Sequence, residues 1–277
     1  MSIYWVVGFL LFLLTLYIFV DREIYFYEGT HLGPRIQGWL YDRWAKKYDQ
    51  GKQASQARDA EMLARPLVTA LREAPAPLVL DLATGTGRLP LALLREPDFG
   101  GHIVALDISL GMLEQAAVKL ADYKTGVTLI RQSGWPLPFP DETFDIVCCL
   151  EALEVMPEME TPLAELFRTL RPGGLLVTSR GTEASGRRAK VISAPDFVRL
   201  LERTGFTQVE VTPWWKLFDR VLARKPGTLT PAGRPRLSEV LLCPACKEPS
   251  LIETADALRC QRCGRKLPRT PEGILLL

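Results

Sequence analysis

From Leu78 onward, short apolar runs alternate with stretches of helical character, and no other feature restricts the chain as strongly. The runs are Leu78 to Ala83, Ile103 to Asp107, Val127 to Arg131, Phe144 to Leu150 and Leu175 to Ser179. A helix between successive strands returns the chain to the same end of a sheet, so the strands are parallel and helices cover both faces. The intervening helices begin near Thr86, Ser109, Thr161 and Ala194, with Ser109 and Ser193 placed as N-caps. Between Thr207 and Lys225 the pattern changes. Val209 and Val211 belong to one strand and Phe218, Val221 and Leu222 to the next, with no room for a helix between them. That pair is antiparallel. The expected fold is therefore α/β, a doubly wound sheet with one antiparallel strand.

The flanks carry different signals. Ile3 to Val20 holds no charge over the length a bilayer-spanning helix needs. A cleaved secretory signal would carry Lys or Arg before the apolar run and a small-residue cleavage site after it, and both are missing. Arg22, Arg35, Arg43, Lys46 and Lys47 all follow the run, which predicts a single-pass anchor over residues 1–22 with the main domain on the cytoplasmic side of the membrane. The alternative is a hydrophobic helix docked on its own domain or on a partner. Ile36, Leu40, Trp44 and Tyr48 line one helix face, and a second helical stretch follows from Ser55 to Glu73, started or kinked at Pro66. The main domain is expected over 34–225. Pro, Gly and Thr without apolar periodicity mark a linker over 226–237, and a small domain occupies 238–277.

A net charge of +2 on 277 residues does not call for a nucleic-acid partner. Four of six cysteines fall in two close pairs near the C-terminus, and the other two, Cys148 and Cys149, lie in an apolar run. That usage suits a reducing compartment and a metal site.

The first strand runs into Thr84-Gly85-Thr86-Gly87, a glycine-bearing turn at the strand end where open α/β sheets bind ligands. The dinucleotide pattern G-x-G-x-x-G is absent, since Leu89 and Pro90 follow Arg88. Asp107 closes the second strand, at a suitable distance to accept hydrogen bonds from ribose hydroxyls. Its plainer reading is a loop cap.

These pieces resemble the class I S-adenosylmethionine-dependent methyltransferases, whose fold is Rossmann-like, and within them the group that includes the quinone-biosynthesis C-methyltransferases. The resemblance spans about Tyr41 to Lys225 and rests on Tyr41 to Asp49, Val79 to Gly87, Ala105 to Ser109, Leu137 to Asp145 and Leu170 to Gly174. It implies that Asp81, Ala83, Gly85 and Gly87 shape the loop around the methionine part of S-adenosylmethionine, that Asp107 holds the ribose, and that Tyr48 closes over the site. The family often has Gly where this chain has Ala83, and Asp, for the adenine amine, where it has Ser133. Ser133, Gly134 and Trp135 are the adenine-side candidates, Trp135 by stacking or as a core aromatic.

Methyl transfer from a sulfonium is a displacement that gains most from alignment. An acidic acceptor also needs a base. His31 and His102 are badly placed for it, so Glu151 and Glu154, just past the fourth strand, are the catalytic candidates, with solvated helix-start charges as the plain alternative. Arg187, Arg188 and Lys190 follow the fifth strand, where they are either an anion clamp or a solvated basic loop.

Cys243, Cys246, Cys260 and Cys263 form two C-x2-C knuckles, the pattern of one closed, structural zinc site. The knuckles and the tail Pro271 to Leu276 resemble the small zinc-ribbon activator that binds several methyltransferases as a separate subunit. That resemblance implies a zinc ribbon packed in cis, with Ile274 to Leu277 buried. Leu150-Glu151-Ala152-Leu153 stands where partners of that activator often carry an Asn-Pro-Pro-Tyr type motif, which argues against a nucleic-acid or glutamine acceptor. The expected activity is methylation of a small or lipid-soluble acceptor at the cytoplasmic membrane face. The alternatives are an RNA or protein methyltransferase using Arg259, Arg262, Arg265 and Arg269 of the ribbon, and a non-catalytic anchored scaffold.

Overall fold

The computed structural model describes residues 3–70, 76–185, 191–233, 235–254 and 256–277. The charge-free run forms α1 (Ile3–Phe19). Helical structure continues to Phe26, giving 24 residues long and apolar enough to cross a membrane, none of them buried in the rest of the chain. It therefore reaches past Val20 to include Asp21, Arg22 and Glu23. A 3-10 turn at Thr30–Leu32 leads into α2 (Pro34–Tyr48).

The continuous helix expected over 55–73 is broken. The chain makes α3 (Gln53–Gln56), a wider π turn at Ala60–Ala64 and α4 (Arg65–Ala70). The break lies at residues 57–58; the π turn then passes without interruption into α4, and Pro66, which lacks an N–H for the helical ladder, sits just after that wider turn.

The sheet follows from β1 (Leu78–Leu82), α5 (Arg88–Leu94), β2 (His102–Asp107), α6 (Leu110–Lys119), β3 (Val127–Arg131), β4 (Phe144–Cys149), α7 (Glu160–Thr169), β5 (Leu170–Gly181), α8 (Ala194–Thr204), β6 (Thr207–Trp215) and β7 (Phe218–Arg224). Strands β3, β2, β1, β4 and β5 are parallel in that order, and β7 lies antiparallel between β5 and β6. All five residues of β1 are buried, as expected of a strand covered on both faces. The two serine caps form: Ser109 Oγ accepts the Met112 N–H at 3.0 Å and Ser193 Oγ the Asp196 N–H at 3.2 Å. The fold is the mixed, Rossmann-like sheet the alternation implied. β5 is longer than 175–179 because Leu170 already pairs with Phe144 ahead of a register shift.

The segment 226–237 is no free tether. Gly227 lies against Pro172, Leu229 joins the core on one side of the sheet, and the Ala232 N–H donates to the buried Asp145 carboxylate at 2.9 Å. Asp145 also accepts the Leu78 N–H at 2.8 Å, so one carboxylate fixes both the start of β1 and this crossing. A short α9 (Leu237–Val240) then opens the ribbon, a three-stranded antiparallel sheet of β8 (Leu251–Glu253), β9 (Ala257–Cys260) and β10 (Lys266–Pro268). β11 (Leu275–Leu276) leaves the ribbon and pairs in parallel with β3, Leu275 opposite Ile130, as the eighth strand of the main sheet. Ile274 and Leu275 are fully buried, while Leu276 and Leu277 are half-buried. Leu241, Cys243, Leu258 and Leu267 share one apolar cluster with Ile130, Leu137 and Phe139, so the ribbon and the main domain share a core.

Candidate functional site

The turn after β1 holds three consecutive odd-numbered residues in the left-handed region: Ala83 at φ 57°, Gly85 at 55° and Gly87 at 77°. The two glycines serve different ends. A Cβ at Gly87 would meet Leu120 at 3.0 Å and Ala116 at 3.2 Å, so its lack of a side chain lets the turn pack on α6. At Gly85 a Cβ would meet nothing within 4 Å, and the open space there belongs to a cavity. Ala83 adopts the same conformation with a methyl group, at a steric cost glycine avoids.

Asp107, at the end of β2, is bound on both oxygens by backbone. Oδ2 accepts the Gly85 N–H and Oδ1 the Ser109 N–H, each at 2.8 Å. Burial pushes its acid up to about 6 in spite of those amides. Asp81 is buried more severely for its charge: burial raises it to about 7, and its Oδ2 has no hydrogen-bond partner among the described residues. Thr84 Oγ1, also buried, lies close enough to the Asp81 carboxylate to oppose that rise but makes no well-aligned hydrogen bond among the described residues. Buried polar atoms are rarely left so, and here two sit on one cavity wall.

Three cavities meet at this strand edge. The largest, about 340 Å³, is bounded by Asp107, Ser133, Gly134, Trp135, Thr30 and Gln37. A second, about 100 Å³, lies between Tyr41, Tyr48, Ala83, Gly85 and Glu151. The third, about 40 Å³, is walled by Asp81, Thr84, Lys52, Arg88 and Glu151, with Tyr48 on its edge. Tyr48, Asp81, Ala83, Gly85, Asp107, Ser133, Gly134, Trp135 and Glu151 thus come together from distant parts of the chain. Gly87 and Glu154 line none of these cavities; Glu154 is buried in the 3-10 turn after β4. Burial raises the Tyr48 phenol, and that of Tyr41 further still.

The smallest cavity has an ionic wall that sequence patterning missed. Arg88 makes two bonds to Asp59, at 2.6 and 2.7 Å, and a third to Glu151 at 2.6 Å. Lys52 donates to the other Glu151 oxygen. The Arg88 guanidinium stacks on Trp214, 4.5 Å from the ring centroid. Glu151 itself takes a left-handed φ of 52° and donates its N–H to Ser179 Oγ at 2.6 Å. Arg88, opening α5 directly after the glycine turn, was the local hint of this wall. No periodicity links Lys52 to Glu151, 99 residues on.

The N-terminal helices are tied over the site. Asp42 accepts the Ser109 hydroxyl at 2.6 Å and the Gly111 N–H at 2.8 Å, and Asp49 accepts the Thr86 hydroxyl at 2.7 Å. Thr30 and Gln37 donate to the Val155 carbonyl at 2.7 and 2.8 Å.

In the ribbon, the four Sγ atoms of Cys243, Cys246, Cys260 and Cys263 lie within 4.8 Å of one another, with two pairs at 3.6 Å. Sulfurs bound tetrahedrally to zinc at about 2.3 Å stand about 3.8 Å apart, so the donor set and spacing fit that ion. Arg262 pairs with Glu248, and Arg269 with Glu253 at 3.1 Å, which neutralises two of the four ribbon arginines. Arg187, Arg188 and Lys190 lie outside the described residues.

A family profile described as a methyltransferase domain matches residues 79–174. A demethylmenaquinone methyltransferase of Symbiobacterium thermophilum is 33% identical over 150 residues, covering 53% of this chain and 60% of that protein. The ubiquinone/menaquinone biosynthesis C-methyltransferase UbiE of Geobacter sulfurreducens is 32% identical over 187 residues, 67% of this chain and 73% of that protein. The chain thus spans 60% of the first relative's length. Among solved structures, an S-adenosylmethionine-dependent methyltransferase of Aquifex aeolicus superposes with a TM-score of 0.54 at 21% identity, over 66% of this chain and 97% of that one. That likeness speaks for the fold.

Proposed function

We propose that this chain, which belongs to the S-adenosylmethionine-dependent methyltransferase family, methylates a small, lipid-soluble acceptor at the cytoplasmic face of a membrane. The observation that carries the cofactor half is the cradle between β1 and β2. Asp107 is fixed by two backbone amides beside an open Gly85, and Asp81, whose Oδ2 has no hydrogen-bond partner among the described residues, lines the smallest cavity. S-adenosylmethionine, when bound, supplies an electrophilic methyl group on a sulfonium. Asp107 would hold the ribose, Asp81 and Thr84 the polar end of the methionine part, and Ser133, Gly134 and Trp135 the adenine side of the large cavity. Tyr48 would close the site from above.

The acceptor half rests on placement. Thr30, Pro34 and Gln37, which lie within eleven residues of the end of the apolar helix, form part of the large cavity wall. A substrate dissolved in the bilayer would meet the site without crossing water, and an anchor raises its local concentration. The curated relatives named for quinone biosynthesis support an acceptor of that class. Glu151, in the wall between two cavities, is the proton acceptor, with Lys52 and Arg88 positioning its carboxylate. Glu154, three residues on, is buried in the 3-10 turn Leu153–Val155 and lines none of the three cavities. A structural zinc on Cys243, Cys246, Cys260 and Cys263 would hold the ribbon against the sheet.

The test is transfer of a labelled methyl group by the full chain, in lipid nanodiscs, to a membrane lipid extract. Label in the organic phase that Asp107→Ala abolishes, with the variant still folded, supports the reading. Label found only in RNA or protein overturns the acceptor assignment, and failure of folded, zinc-loaded protein to bind S-adenosylmethionine favours an anchored scaffold.

A further inference from the structure

Helix α2 presents two unlike faces. Its inner side lines the cofactor cavities through Gln37, Tyr41 and Tyr48. Its exposed residues are Pro34, Arg35, Ile36, Trp39, Arg43, Lys46 and Lys47. At 100° per residue, positions 35, 36, 39, 43, 46 and 47 fall within an arc of about 120°. Ile36 is 42% and Trp39 54% exposed, unusually open for large apolar side chains on a packed helix. The Arg43 guanidinium lies over the Trp39 ring, 5.1 Å from its centroid. The helix's one acid, Asp42, is turned inward to Ser109 and Gly111. The outer face thus combines four cations with two large apolar groups and no anion.

We propose that this face docks on an anionic bilayer surface, so that the membrane itself holds α2 down over the cofactor site. The inference rests on the reading of Ile3–Phe26 as a membrane span. A helix of 24 residues is about 36 Å long, somewhat more than the hydrocarbon core, which places its last turn among the head groups. Only residues 27–33 separate that turn from α2, and seven residues reach at most about 25 Å. The tether therefore keeps α2 within the head-group layer or just outside it. Trp and Arg are suited to that layer, where an amphipathic ring and a charged group are both satisfied. The charge pattern selects anionic lipid: each basic residue near such a surface strengthens association about fivefold at moderate salt. A soluble acidic protein would match the charge, but it would leave Ile36 and Trp39 without an apolar phase and would have to fit between the domain and the bilayer.

The experiment uses the full chain reconstituted into phosphatidylcholine vesicles, with and without phosphatidylglycerol, carrying lipids brominated near the head group. Tryptophan quenching is compared among the parent, Trp39→Phe and Trp5→Phe. The expected result is a quenched component that Trp39→Phe removes, present in anionic vesicles and weakened by salt. Replacing Arg35, Arg43, Lys46 and Lys47 by Gln should abolish that component while leaving the thermal transition in place. Quenching that depends on Trp5 but not on Trp39 would overturn the docking and leave the anchor standing. Absence of a Trp5-dependent component in protein that stays with the vesicles would overturn both.

Discussion

The Asp107 carboxylate accepts the Gly85 N–H at 2.8 Å, so the acid at the end of β2 sets the conformation of the turn at the end of β1. Its other oxygen holds the Ser109 N–H. Asp107→Ala should therefore act twice. It leaves two amides without their acceptor, costing about 1–3 kcal/mol of stability, and lowers S-adenosylmethionine affinity at least tenfold. Asp107→Asn retains one carbonyl oxygen and should lose less stability. Thermal unfolding together with calorimetric titration separates the two effects.

Asp81 predicts a pH dependence of binding. Burial holds its acid at about 7, whereas in the unfolded chain it ionises near 3.8. As pH rises from 3.8 to about 7 the unfolded state releases this proton first, so the folded state without cofactor loses the contribution of this group across that window. A ligand ammonium favours the carboxylate, so affinity should run the other way: it falls as pH drops below about 7, by up to tenfold per unit from this group. Isothermal titration between pH 5.5 and 8 would show the slope, and Asp81→Asn should flatten it.

Ala83 holds a left-handed φ of 57° that glycine adopts freely. Ala83→Gly should raise stability by about 0.5–1 kcal/mol, the relief of strain exceeding the added freedom of the unfolded chain. A melting temperature no higher than the parent's would mean that contacts of the Ala83 methyl compensate the strain.

The shared core predicts that ribbon and main domain unfold together. Leu275→Asp would bury a charge beside Ile130 and should destabilise the whole chain by several kcal/mol, and metal chelation should lower the melting temperature of the single transition. Hydrogen exchange would locate the effect, with amides of residues 127–131 losing protection first. Two separate transitions would contradict the arrangement.

What the sequence made legible was local. The strand alternation, the serine caps, the glycine turn and Asp107 each show in a few neighbouring residues, because periodicity and capping are short-range effects. The ionic wall was not visible that way: Glu151 stood out by its place after the fourth strand, but Lys52, Asp59 and Arg88 meet it only after the sheet has folded, and each of those three alone reads as a surface charge. The crossing over 226–237 resembled a tether because proline and glycine hide packing that is set by Pro172 and Asp145. β11, with two residues, is too short for any pattern to mark as a strand.

The pairing of Leu275 with Ile130 also orders events during synthesis. β3 emerges from the ribosome roughly 145 residues before its neighbour β11, a delay of about 7–30 s at ordinary elongation rates. Over that interval the β3 edge of the nascent domain is an unpaired strand rim. An open strand rim invites pairing with other chains. The C-terminal segment that carries Leu275 can close this rim only once the rest of the sheet is in place.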